Sequence, residues 1–194
     1  MRWRWNQIKS DETATQCGVT TDAAPLARPD GQVWIYHGAL AAHRLRPLPE
    51  AAVATVREHL EHESAHLAAW NDVLGGVELA GTASQLLPAW RVAGFLLGGG
   101  AVLAGGEAGL CCTVEAVEEF VCAHYGQQIA RLRAAGDCCP ELLGLVERCR
   151  EEEAEHVSDA RAGWASGEGG AAARAWASVV RAGSGAAAEV ARRI

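Results

Sequence analysis

The chain has 194 residues, enough for one domain with a real core, and 49% of them are hydrophobic, which excludes a chain disordered by composition. Seventeen basic residues against twenty-four acidic ones leave a net charge of −7, which argues against a nucleic-acid binder with its basic surface; membrane contact through apolar side chains stays open. The seven cysteines (Cys17, Cys111, Cys112, Cys122, Cys138, Cys139 and Cys149) are odd in number, include two adjacent pairs and form no C-x-x-C, so they read as reduced, structural residues rather than a disulfide framework or zinc site.

Residues 1–28 read as an N-terminal tail and residues 29–194 as one domain. The basic start, Met1 to Lys9, runs straight into Asp11-Glu12 and has no apolar core of a secretory signal. It is either a short mitochondrial transit segment or a frayed end. Pro25 and Pro29 break any long helix in the tail. From Asp30 the pattern turns helical, with Val33, Tyr36 and Leu40 on one face, until Pro47 and Pro49.

A second helix is expected from about Glu50 to Leu74, with the stripe Val53, Val56, Leu60, Glu63, Leu67, Trp70, Leu74. Glu63 occupies a position reserved for an apolar side chain, so it is either off that face or paired, because an unpaired buried charge is costly. His66 stands one turn on and can share its target. Gly75-Gly76 closes this helix. The segment from Leu86 to Gly106 is apolar and glycine-rich; its uncharged run, Val92 to Gly106, is fifteen residues, short of the roughly 20 that span a bilayer. It fits a buried core helix, or a segment that dips into one leaflet or lines an apolar channel.

The third long helix covers about Glu107 to Ala135, with Val114, Glu118, Val121, Tyr125, Ile129 and Leu132 on one face. Glu118 interrupts that row, and Glu115 and Glu119 are neighbours that could be taken for it. Gly136-Asp137 ends the helix and Pro140 starts the fourth, which runs to about Ala162. Its seam is Leu142, Val146, Cys149, Glu153, His156, Ala160. A glycine-rich link, Gly163 to Gly170, leads to a last, alanine-rich helix ending in Arg192-Arg193, which suit a helix C-terminus. The chain carries no strand pattern.

Two Glu-x-x-His pairs, Glu63/His66 and Glu153/His156, thus fall on buried seams of separate helices, with Glu118 on a third between them. That is the donor pattern of a carboxylate-bridged pair of metal ions inside a helix bundle: lone acid, pair, lone acid, pair. Five of six ligands are present. The sixth should come from the first helix, where Asp30 is the nearest carboxylate, one methylene shorter than glutamate. His59 and His62 are alternatives to His66, Glu58, Glu61, Glu151 and Glu152 read as a solvated face, and Tyr125 is either a site contact or a core tyrosine.

These residues sit in segments that resemble the demethoxyubiquinone hydroxylase family, ferritin-like di-iron monooxygenases of ubiquinone biosynthesis. The matching stretches are Trp34-Ile35-Tyr36-His37-Gly38, Glu63-Ser64-Ala65-His66-Leu67 and the run from Leu87-Pro88-Ala89-Trp90 to Gly94-Phe95-Leu96-Leu97-Gly98. Cys112-Thr113-Val114, Val117-Glu118-Glu119, His124-Tyr125-Gly126-Gln127-Gln128 and Glu152-Glu153-Ala154-Glu155-His156 continue them. The chain departs from the family at its first helix. The usual Asp-His-Ala-Gly-Glu block, whose Glu is the first ligand, is degraded; Thr21-Asp22-Ala23-Ala24 is its remnant, and Pro29 or Asp30 falls where the Glu belongs. One extra residue, at Glu115-Ala116, precedes Glu118.

The resemblance implies an all-α, ferritin-like four-helix bundle with an added apolar, membrane-interacting helix and a C-terminal helix. It implies two iron ions on Glu63, His66, Glu118, Glu153 and His156, and O₂-dependent hydroxylation of demethoxyubiquinone to demethylubiquinone. It also implies NADH as reductant, a polyprenyl quinone reaching the site by the apolar segment, and a lipid-binding partner of the ubiquinone-synthesis complex. The expected place is the matrix side of the mitochondrial inner membrane, or a bacterial cytoplasmic membrane, with a homo-oligomer compatible with either. Loss of the first glutamate keeps open a non-enzymatic, lipid-binding scaffold, and iron oxidation or storage is a further ferritin-like activity.

Overall fold

The computed structural model describes residues 30–75, 87–134, 136, 140–164 and 170–191. The tail, the remnant block at residues 21–24, Arg192-Arg193 and the side chain of Asp30 lie outside the described residues. Among the described residues there are five helices: α1 Asp30–His43, α2 Glu50–Gly75, α3 Leu87–Ala134, α4 Pro140–Trp164 and α5 Gly170–Ala191. No strand occurs among the described residues, and the expected all-α bundle is what forms. α1 and α4 pack along α3, α2 closes the bundle against α1 and α4, and α5 lies on α3.

The junction after α1 is built by the chain's own polar groups. Arg44, Leu45 and Arg46 tuck their amides onto the carbonyls of Ala41 and Ala42, and the Leu48 amide donates to His43 Nδ1 at 2.9 Å. The Pro49 carbonyl then accepts from Val53, so proline stands where a missing N–H costs nothing and α2 begins.

The expected apolar segment and third helix are one continuous rod with a break at Gly106, where φ is 63° and ψ −142°. Only glycine adopts that backbone readily. Arg46 packs over the break and donates to the Leu103 carbonyl at 2.8 Å, satisfying a carbonyl freed by it. Glycine also explains the close crossing of α1 and α3. A Cβ at Gly98 would overlap the Ile35 carbonyl, and one at Gly38 the Phe95 carbonyl. The opposite face of this half, Val92, Leu96 and Leu103, is exposed.

The seam of α4 is buried at every expected position: Leu142, Val146, Cys149, Glu153, His156 and Ala160. The seam of α2 is not the one the apolar pattern suggests. Val53, Val56, His59, Glu63, His66 and Trp70 are its buried row, while Leu60 and Leu67 are half-exposed. The helix turns its histidines inward because the middle of the bundle is polar. One apolar cluster, around Trp70, Tyr125, Val146 and Cys149, lies to one side of this layer. A second, around Tyr36, Val53, Val56 and Val114, lies to the other.

Candidate metal centre

Burying three carboxylates in one layer requires cations or donors to meet them. Glu63, Glu118 and Glu153 are at most 1% exposed, and with His156 they bring four ligand atoms within 4.8 Å of one another. The two Glu-x-x-His pairs face each other across the bundle. His156 Nδ1 is 3.1 Å from Glu153 and 3.5 Å from Glu63; His66 Nδ1 is 3.4 Å from Glu153 and 3.8 Å from Glu63. Each imidazole therefore turns Nδ1 into the carboxylate layer.

The other ring nitrogens are held from outside. His66 Nε2 lies 2.7 Å from the Glu152 carboxylate, and His156 Nε2 lies 3.2 Å from His62 Nδ1. His59 stacks on the His156 ring at 4.0 Å and meets Asp159 through Nε2 at 3.2 Å. A second partner of this kind fixes ring orientation and tautomer, a common device around metal ligands. Glu152 thus supports the centre from outside instead of standing on a merely solvated face, and His59, an alternative to His66 by sequence, stacks on His156 with its own partner in Asp159.

Two further side chains escaped the sequence reading. Gln32 donates from Nε2 to Glu118 at 2.7 Å, with Glu63 at 3.3 Å and Glu153 at 3.4 Å. Tyr36, one turn later on the same face of α1, donates to Glu118 at 3.1 Å. Neither belongs to a ligand motif; the only sequence signal was their i, i+4 spacing on a buried face. Glu115 and Glu119, by contrast, sit on the outer side of α3 and pair with Arg161, which separates them from Glu118. Tyr125 is buried and stacked at 13° on Trp70, and its hydroxyl has no hydrogen-bond partner among the described residues.

The electrostatics follow from that packing. Burial, then the charges of Glu153 and Glu63, push the Glu118 carboxyl well above the usual carboxylate range. Burial and Glu153 raise Glu63 as well. Burial would also raise Glu153, but bonds from His156 and His66 outweigh it and hold that carboxyl at about 2. Burial pulls His156 down, yet Glu153 and Glu63 outweigh it and lift it to about 9. His66 is raised in the same way: contacts with Cys149, Glu153 and Glu63 outweigh its burial.

This donor set fits a hard cation. Carboxylate oxygens and imidazole nitrogens converge, and among the described residues Glu63 Oε2 is buried without a hydrogen-bond partner while His66 Nδ1 meets only the carboxylates of Glu153 and Glu63. Comparison with known proteins gives the chain a family. The family model described as "Ubiquinone biosynthesis protein COQ7" matches residues 30–191. The NADPH-dependent 3-demethoxyubiquinone 3-hydroxylase of Rattus norvegicus, a mitochondrial protein, is 34% identical over 147 residues, covering 72% of this chain and 66% of that protein. Its Homo sapiens counterpart gives the same figures, 34% over 147 residues, 72% and 66%. The 3-demethoxyubiquinol 3-hydroxylase of Rhodospirillum rubrum is 38% identical over 126 residues, covering 65% of this chain and 55% of that protein. The chain thus spans 66% of the length of the mammalian relatives and 55% of the bacterial one. With 162 of its residues under one family model, residues 30–191, the chain belongs to the ubiquinone biosynthesis protein COQ7 family.

Proposed function

We propose that the chain hydroxylates demethoxyubiquinone to demethylubiquinone in ubiquinone biosynthesis, as an O₂-dependent monooxygenase with two iron ions. Glu63, His66, Glu118, Glu153 and His156 would hold them. The observation that carries this reading is the convergence of both Glu-x-x-His pairs and Glu118 in one buried layer between two apolar clusters. Iron, when bound, supplies the O₂ and electron chemistry. The overall reaction places one oxygen atom in a ring C–H bond and releases the other as water. It takes up two electrons and two protons, the electrons ultimately from a nicotinamide nucleotide. The names of the mammalian relatives give that reductant as NADPH, where NADH was expected.

The chain's own residues do the rest. Glu152 and His62 hold the two ligand imidazoles in register. Tyr36 holds Glu118. The Trp70/Tyr125 cluster excludes water on one side, and the Tyr125 hydroxyl, without a hydrogen-bond partner among the described residues, is assigned to the quinone. The exposed face of α3, at Val92, Leu96 and Leu103, is assigned to the membrane surface and the polyprenyl tail. This half-helix lies against α1 through its glycines and shows lipid only one face, so peripheral attachment suits it better than spanning, although α3 is apolar and long enough to cross a bilayer. A mitochondrial inner-membrane or bacterial cytoplasmic-membrane setting follows, with a lipid-binding protein of the same pathway as partner.

Iron-loaded protein, given a short-tail demethoxyquinone, reductant and ¹⁸O₂, should form product carrying one ¹⁸O. Two irons per chain without product would overturn the assignment. Quinone and vesicle binding without iron would support the lipid-binding scaffold, the alternative favoured by α1 carrying no glutamate.

A further inference from the structure

We propose that Gln32 is the first-helix member of the metal centre, a neutral amide standing where a carboxylate would complete the set; this rests on the metal-centre reading above. Gln32 is 6% exposed, and its Nε2 reaches all three buried carboxylates, at 2.7 Å for Glu118, 3.3 Å for Glu63 and 3.4 Å for Glu153. No other described side chain is recorded in hydrogen bonds to all three. In all three contacts Nε2 is the donor, so it is the NH₂ end that faces the carboxylates. In the metal-free fold the amide is therefore a surrogate cation, holding together groups that would otherwise repel.

The same side chain has a second use. A cation cannot share the carboxylate layer with an N–H pointing into it. Turning the terminal amide about its last bond replaces the NH₂ with the carbonyl oxygen, a hard but uncharged donor of the kind divalent cations accept. Gln32 then stays in place while its role changes from donor to ligand. The consequence lies in charge. Glu63, Glu118 and Glu153 supply three negative charges, one fewer than a set with a first-helix glutamate, against the four positive charges of two divalent ions. The second ion is held more weakly than the first, and the centre fills in two separable steps.

Glutamine and glutamate have nearly the same shape, so Gln32→Glu changes charge and little else. The test titrates metal-free protein with Mn²⁺ by calorimetry, measures anaerobically loaded Fe²⁺ per chain, and records thermal stability with and without metal. Wild type should show one tight and one weak Mn²⁺ step. Gln32→Glu should tighten the weak step roughly tenfold or more, as changes beside metal ligands commonly do, and make the metal-free fold less stable. If that variant folds only with metal, where wild type folds without it, the same conclusion is reached. Gln32→Ala should lower the melting temperature of the metal-free protein and leave the second step weak. Equal Mn²⁺ affinities and equal metal-free stability in all three proteins would overturn the role of Gln32 and leave the proposed function standing. No metal binding by any of them would overturn both.

Discussion

His59 is a residue whose charge state the fold decides. Burial, then the neighbouring His156, lowers its imidazole to about 4, although Asp159 pulls the other way. In the unfolded chain it titrates near its ordinary value of about 6.5. Between those values the unfolded state binds more protons, so stability falls as pH drops from about 6.5 toward 4 and levels off below. The loss is on the order of 3 kcal/mol. His156 has the opposite sign. Raised to about 9, it contributes stability that is present below about 6.5 and lost as pH rises through 9. Metal-free protein should therefore have a bell-shaped melting temperature against pH, and His59→Gln should flatten the limb between about 6.5 and 4. An unchanged acid limb in that variant would show that His59 is not the group responsible. Metal reverses the balance, because it needs His156 neutral and Glu118 ionised; binding should release protons and tighten with rising pH. Glu153→Ala removes the carboxylate that both ligand imidazoles face, and should cost at least half of the bound iron, read as metal per chain. Full iron content in that variant would remove Glu153 from the ligand set.

At the scale of the element, α3 shows why its glycines are not interchangeable. Gly98 meets the Ile35 backbone directly, whereas nothing lies within 4 Å of a Cβ built at Gly100. Gly98→Val should cost about 3 kcal/mol, as overpacking at a rigid backbone contact does. Gly100→Ala should be neutral or stabilise by about 0.5–1 kcal/mol, since alanine favours helix. Chemical denaturation of both variants measures the difference, and equal stabilities would contradict the close packing of α1 on α3. The same helices mark what the sequence could reveal. The α4 seam was legible because its polar members, Glu153 and His156, continue an apolar row of strict helical spacing. The break at Gly106 was legible from the end of the uncharged run at Glu107. The α2 seam was misplaced by a fraction of a turn, because apolar character marked the inside while the actual interior is polar; His59 and His66 displaced Leu60 and Leu67. Gln32 was missed for a related reason. An amide has no ligand motif, and the nearest carboxylate in the sequence is Asp30, whose side chain is not among the described residues.

For the whole molecule, net charge and apolar surface together say how it should meet a membrane. A chain of net charge −7 gains nothing from the anionic lipids that attract basic proteins. The membrane attachment proposed above would then come from apolar side chains, and α3 exposes Val92, Leu96 and Leu103 on the face turned away from α1, at 59%, 65% and 48%. Burying such a side chain contributes about 1.5–3 kcal/mol, so three of them suffice for reversible binding. Two consequences separate this from electrostatic attachment. Binding to zwitterionic vesicles should be as strong as to anionic ones, and added salt should not weaken it. Val92→Glu with Leu96→Glu should then lower vesicle partitioning by roughly 100-fold or more, since each change removes apolar area and adds a charge that resists burial. Iron content should stay the same, because neither residue touches the buried carboxylate layer. α5 supplies the control: Val179, 62% exposed, lies on a different helix, and Val179→Glu should leave partitioning unchanged. If Val179→Glu releases the protein while the α3 pair does not, the membrane face and the proposed path of the quinone tail belong to α5 rather than to the first half of α3.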